Sequence, residues 1–193
     1  MMTTVLKKSL RKLLGGLDDP RGETLLRIYD DYQDLFHMTA GSSHNHQAWG
    51  GGYADHIAEC LRVNDITYDA LAQLRALPFT KASAAIVLFF HDIEKPFKYG
   101  PQDDPRCAVW QNKQADEQKD WEGMKWDILN DLCTKYAFEL SADEKNGLKY
   151  THGEGDDHRK DARVSCPLAA HAHHCDNTSA RIWFDEGRGL SAA

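Results

Sequence analysis

The sequence predicts an all-α fold, a compact helical bundle, and three observations carry that expectation. Apolar residues recur at helical spacing, as in Leu25, Leu26, Ile28, Tyr29, Tyr32, Leu35 and Phe36. Glycine and proline stand between such stripes, where they open or end helices. No segment reads as a ladder of alternating strand residues. With 193 residues, 41% of them hydrophobic and 27% charged, the chain is long enough for one domain with a substantial core.

The elements follow in order. A first helix is expected over 3–14, stopped by Gly15 and Gly16. Lys7, Lys8, Arg11 and Lys12 interrupt its apolar residues, which leaves neither a secretory h-region nor a membrane span and favours an amphipathic packing helix. Asp19-Pro20 offers a cap and a first-turn proline for a helix reaching about residue 38. Residues 39–52 form a loop rich in Gly, Ser and His, and a further helix is expected over 53–77, broken near 65–67 and ended by Pro78. Thr80 caps a helix over 81–92 whose residues 84–90 are apolar on every face, the pattern of a central buried helix.

Residues 94–114 read as a polar, proline-bearing excursion, followed by a long helix over 116–138. Ser141 to Glu144 is a capping-box pattern that opens another helix. A charged loop spans 153–163, and Pro167 starts a last helix through His171, Asp176, Ile182 and Phe184. Trp110, Trp121, Trp126 and Trp183 read as core or interface residues. The chain accordingly divides into N-terminal helices packed on the core (1–38), the core domain (39–186) and a flexible C-terminal tail (187–193).

Charge narrows the partners. A net charge of -7 with a pI near 5.8 repels a nucleic-acid backbone, so phosphate recognition has to be local. The five cysteines are scattered with no C-x-x-C pair, which argues against a disulfide framework or a zinc ribbon and suits reduced thiols in a cytoplasmic compartment.

Histidine is the unusual residue: there are ten, including His44 and His46 in one loop and His171, His173 and His174 in the last helix. The ligand types at helix ends beside apolar runs are His56, His91, Asp92 and Asp176. Two imidazoles and two carboxylates suit a hard or borderline divalent cation such as Mn, Fe, Co, Ni, Zn or Mg.

The strings GGYADHIAEC, LFFHDIEKPF and PLAAHAHHCDNTSARIW together resemble the HD-domain superfamily of metal-dependent phosphohydrolases, whose signature is H, then HD, then D across a helical bundle. The resemblance covers about residues 41–183 and is closest to the branch with a glycine-rich loop before the first histidine and an H-D-I-G-K motif. SSHNHQAWGGGYADH is also similar to the corresponding stretch of HD-domain 3′-to-5′ exoribonucleases.

The resemblance implies a divalent metal ion held by His56, His91, Asp92 and Asp176, with Asp92 and Lys95 in the chemistry and Lys95 facing the substrate phosphate. Glu94 stands where the motif has glycine; it would narrow the site, supply a hydrogen bond or act on the attacking water. For a second metal site, His152 resembles one family ligand and His173, three residues before Asp176, is the best further candidate; the segment 116–136 supplies no histidine. His46 and Trp49 are placed to line a substrate mouth, with Trp49 or Tyr53 able to stack on a base and Arg163 or Arg181 able to meet a phosphate; packing and surface ion pairs are the plainer roles for these residues.

The expected function is therefore hydrolysis of a nucleotide phosphoester by metal-activated water. A 3′-to-5′ nuclease acting on short RNA or DNA, and a metal-binding regulatory module without turnover, are the alternatives. The partner expected is a small-molecule nucleotide, with a short nucleic acid as the other substrate class and no membrane; a homo-oligomer stays open.

Overall fold

A computed structural model describes residues 10–43 and 46–182 of the chain. The described residues form an all-α bundle: helix over 10–15, then α1 (Gly22–Met38), α2 (Gly52–Leu74), α3 (Lys81–Phe90), α4 (Lys95–Lys98), α5 (Pro105–Glu117), α6 (Trp121–Lys135), α7 (Ala142–Tyr150), a 3-10 turn (Gly155–Asp157) and α8 (Pro167–Arg181). No strand occurs among them.

Helix α3 is the centre. Its run KASAAIVLFF has no polar face, so every side from Ala84 to Phe90 is buried, and α2, α7 and α8 pack around it. Full burial of each large side chain in that run stabilises the fold by about 1.5–3 kcal/mol. Phe36 lies edge-on to Tyr53 and tilted against Phe89, while Phe90 meets Phe138, which joins α1, α2, α3 and the segment after α6 in one core. Trp110, Trp121 and Trp126 pack against this core while partly exposed, as expected for core or interface residues.

Side-chain caps set most starts. Thr80 Oγ1 accepts from the Ser83 N–H at 3.0 Å, and Ser141 and Glu144 form the predicted capping box. Glu144 is fully buried and also receives the Arg21 guanidinium at 2.8 and 2.9 Å, an ion pair that ties the start of α1 to α7.

The structure corrects several expectations. Helix α2 runs without a break through Asp65, Ile66 and Thr67, where Thr67 Oγ1 donates to the Val63 carbonyl at 2.7 Å inside the helix and Asp65 and Asp69 reach Lys81. It ends at Leu74, and Leu74 is 83% exposed, so the apolar spacing there marks no core face. The stretch 94–114 is not an excursion: it holds α4 and most of α5, whose Asp104 side chain caps Arg106 N–H beside Pro105. The long helix over 116–138 is two helices, divided at Gln118 in a left-handed conformation (φ 49°) and restarted by the Asp120 cap. Pro96 lies in the first turn of α4, where proline is tolerated, although the sequence also lets it be read as a stop to the helix ending near Asp92. The expectations for 1–9, His44, Trp183, Phe184 and the tail 187–193 lie outside the described residues.

Candidate metal centre

Four side chains from three helices meet at the end of α3. Gly51, at φ 89°, turns the chain into α2, and Gly52 allows the turn to pass close to the preceding loop: a Cβ there would come within 1.8 Å of the Gln47 carbonyl. This places His56 in the first turns of α2, with its ring fully buried. His91 caps the C-terminus of α3 and Asp92 follows, both fixed by the apolar helix behind them. Asp176 comes from the middle of α8.

The His56 Nε2 atom lies 3.2 Å from His91 Nε2, 3.2 Å from Asp176 Oδ1 and 3.7 Å from Asp92 Oδ2. His91 Nε2 lies 3.3 Å from Asp92 Oδ2 and 3.6 Å from Asp176 Oδ1. Donors bound at about 2.1 Å to one cation stand about 3.0 Å apart in an octahedron and about 3.4 Å in a tetrahedron. The spacing therefore fits a shared divalent ion.

The ring orientations fit it as well. Ser179 Oγ donates to Glu59 at 2.9 Å and so accepts from His56 Nδ1–H at 3.0 Å. His91 Nδ1–H donates to the Leu88 carbonyl at 2.8 Å. Each histidine thus turns Nε2 toward the carboxylates, the outer-sphere arrangement that orients metal-ligating imidazoles.

The electrostatics demand positive charge here. Burial disfavours ionisation of Asp92 and Asp176, yet His91 and other donors around them hold both carboxyls well below the usual carboxylate range. Burial draws His56 down to about 4, so it is neutral near pH 7. Burial opposes charge on His91 too, but Asp92 and Asp176 overcome it and raise His91 to about 10. In this state a proton on His91 and the Lys95 ammonium, 2.5 Å from Asp92 Oδ2, answer the buried acids.

His152 follows α7 and stands 3.3 Å from Asp92 Oδ1 and 4.0 Å from Asp176 Oδ2. Its side chain is 48% exposed while the other four are nearly enclosed, so it marks the open side of the site. His46 reaches the same site, its ring 4.8 Å from that of His56 and its Nδ1 2.7 Å from Gln47 Oε1. Glu94 is partly buried, and burial followed by the charge of Asp92 raises its carboxyl to about 7; its Oε2 finds no hydrogen-bond donor among the described residues.

Other predicted residues lie elsewhere. His173 Nδ1–H donates to the Thr151 carbonyl at 2.5 Å and its Nε2 accepts from Asn177 Nδ2 at 2.8 Å, which leaves it outside the donor cluster. Tyr53 is wholly buried, so it cannot stack on a base, and the Trp49 indole N–H is held by Asp55 at 2.9 Å. Arg181 and Arg163 are both exposed, Arg181 at the last turn of α8.

The sequence reading passed over Cys60, Glu59 and Ser179. Cys60 Sγ lies 3.7 Å from His56 Nε2, close enough to join His56, His91 and Asp176 around an ion. Burial, followed by the charge of Asp176, holds its thiol well above the ordinary cysteine range, so it faces the site as a neutral thiol. Glu59 and Cys60 sit three and four residues after His56, and Ser179 three after Asp176, the spacings that share a helix face; that was the available signal.

No family model, curated protein or solved structure matches the chain. What the site can bind follows from its own atoms. These buried His, Cys and Asp groups could hold a metal ion, and the two-nitrogen, two-carboxylate set favours a hard or borderline divalent one. Among the described residues no helix is long and apolar enough to cross a membrane.

Proposed function

We propose that this chain is a metal-dependent phosphohydrolase of the HD-domain type that cleaves a phosphoester of a nucleotide. The observation that carries the reading is that His56 and His91 Nε2 lie 3.2–3.7 Å from each other and from carboxylate oxygens of Asp92 and Asp176, at sequence positions that match H, HD and D in order. A divalent cation bound there would lower the pKa of water and polarise a phosphoryl oxygen.

The chain's own residues supply the rest. The Glu59–Ser179–His56 chain and the Leu88 carbonyl hold both imidazoles in one orientation, so the site is built before substrate arrives. Lys95, 14% exposed, is charged and adjacent to Asp92, where it can neutralise a substrate phosphate. His46 and His152 flank the entrance and offer hydrogen bonds to a bound ester. The chain's acidity favours a small nucleotide over a long polyanion.

The test is phosphate release from a panel of nucleotides and short oligonucleotides with Mn, Fe, Co, Ni, Zn and Mg in turn, alongside metal analysis of the purified protein. The expected outcome is metal-dependent release that falls to background in His91→Ala and Asp92→Ala. Release retained in both variants would remove the reaction from this site. Cleavage confined to oligonucleotides would favour a nuclease, and bound metal without any turnover a regulatory module.

A further inference from the structure

A second concave surface lies between the C-terminal half of α2, the segment before α3 and the N-terminal half of α8, closed on one side by the loop that follows the 3-10 turn. Its volume is about 770 Å³, within the range of small-molecule sites, and none of His56, His91, Asp92, His152 and Asp176 lines it. The lining combines apolar side chains, among them Leu71 and Phe79, with Arg75, Arg159 and Arg163. Glu154 is the single acid among the lining residues, and Ser165 Oγ at 2.5 Å and His158 Nδ1 at 2.8 Å already engage it. Arg159 is shared with Asp161 at 3.0 Å, whereas the guanidinium groups of Arg75 and Arg163 have no ion-pair partner among the described residues. In a chain of net charge -7, this is a local concentration of positive charge.

Beneath this lining lies a buried polar atom without a partner. His171, 6% exposed, gives its Nε2–H to Asn64 Oδ1 at 2.9 Å, and Asn64 is held in that orientation because its Nδ2 donates to the Lys81 carbonyl at 3.2 Å. The ring therefore keeps its lone pair on Nδ1, which has no hydrogen-bond partner among the described residues. Burial, with His174 beside it, draws His171 down to about 4, so the ring stays neutral near pH 7. An unpaired buried acceptor is costly. A ligand suited to this surface needs an apolar planar body and an anionic group some distance from it.

We propose that the groove binds a nucleoside monophosphate, the base lying against Leu71, Phe79 and the His171 ring and the phosphate held by Arg75, Arg159 and Arg163. This site is separate from the metal centre and needs no metal.

Calorimetric titration of the full chain in excess EDTA with AMP, GMP, CMP and UMP tests it. At least one of the four should saturate at one per chain with a Kd below about 1 mM. Ribose 5-phosphate, which lacks the base, should bind about tenfold or more weakly. The Arg75→Ala/Arg163→Ala variant changes only exposed side chains; with an unaltered circular dichroism spectrum, it should lose about tenfold or more in nucleotide affinity. His171→Leu keeps the lining apolar and should weaken nucleotides while leaving ribose 5-phosphate unchanged. The proposal is overturned if none of the four nucleotides binds, if ribose 5-phosphate binds as tightly as they do, or if the double-arginine variant binds like the parent. Because EDTA silences the metal centre, these outcomes are independent of whether that centre hydrolyses phosphoesters.

Discussion

At the scale of single residues, the donor cluster depends on side chains that lie outside it. Ser179 passes one hydrogen bond from His56 to Glu59, and its own side chain is small. In Ser179→Ala the fold should persist, while metal affinity should fall by about 10–100-fold as His56 loses its fixed orientation; titration with Mn, read by calorimetry, measures the drop. The four clustered side chains His56, His91, Asp92 and Asp176 stand out in the sequence because each charged or imidazole group ends or interrupts an apolar stretch, as His91 and Asp92 do after Phe90. Ser179, Glu59 and Cys60 do not, since serine, glutamate and cysteine on a helix have many ordinary uses. Only their distance from His56 in the folded chain gives them a role. His173 shows the converse: helical spacing placed it near Asp176, but the Thr151 carbonyl claims its ring.

At the scale of elements, punctuation decided what could be read. The apolar run of α3 and the capping box of α7 were clear because hydrophobicity and caps agree there. Helices α4 and α5, and the break before α6, are hard to read because polar surfaces dilute the apolar period there, although Asp104-Pro105 is the same kind of start signal as Asp19-Pro20. The tight entry to α2 makes a sharp prediction. Gly52→Ala should force the Gln47 carbonyl away from its 1.8 Å approach to the new Cβ, lowering both thermal stability and metal affinity; unchanged values for both would contradict the described entry. Helix α8 makes another through His171. Its folded pKa, about 4, lies below the ordinary 6.5, so between these values the unfolded chain takes up the proton and the folded one does not. The stability this contributes is full above pH 6.5 and is lost as pH falls toward 4. Melting temperature should therefore decline less steeply over that window in His171→Leu than in the parent.

At the scale of the whole molecule, the bundle is closed by contacts between distant parts of the chain. Arg21, just before α1, pairs with the buried Glu144 of α7 across 123 residues. Arg21→Ala leaves that carboxylate without its cation and should cost about 3 kcal/mol, measured by denaturant unfolding. A bound divalent ion should act in the opposite direction: at a free concentration one hundred times Kd it would add about 2.7 kcal/mol and raise the melting temperature. A melting curve unmoved by every metal tried would argue against the centre. All-α architecture was legible at this scale because it sums many independent helical stripes. The packing order was not, because it depends on which faces meet.

The meeting of α2, α3 and α8 at one point has a kinetic consequence. His56 and Ser179 are separated by 123 residues, so the donor cluster exists only after both ends of the core domain have docked on the central helix. A partly folded chain offers an ion isolated ligands and little affinity. The ion would then work as a latch on the finished bundle: it should slow the opening reaction while leaving the refolding rate nearly unchanged, the partition expected for contacts absent from the transition state.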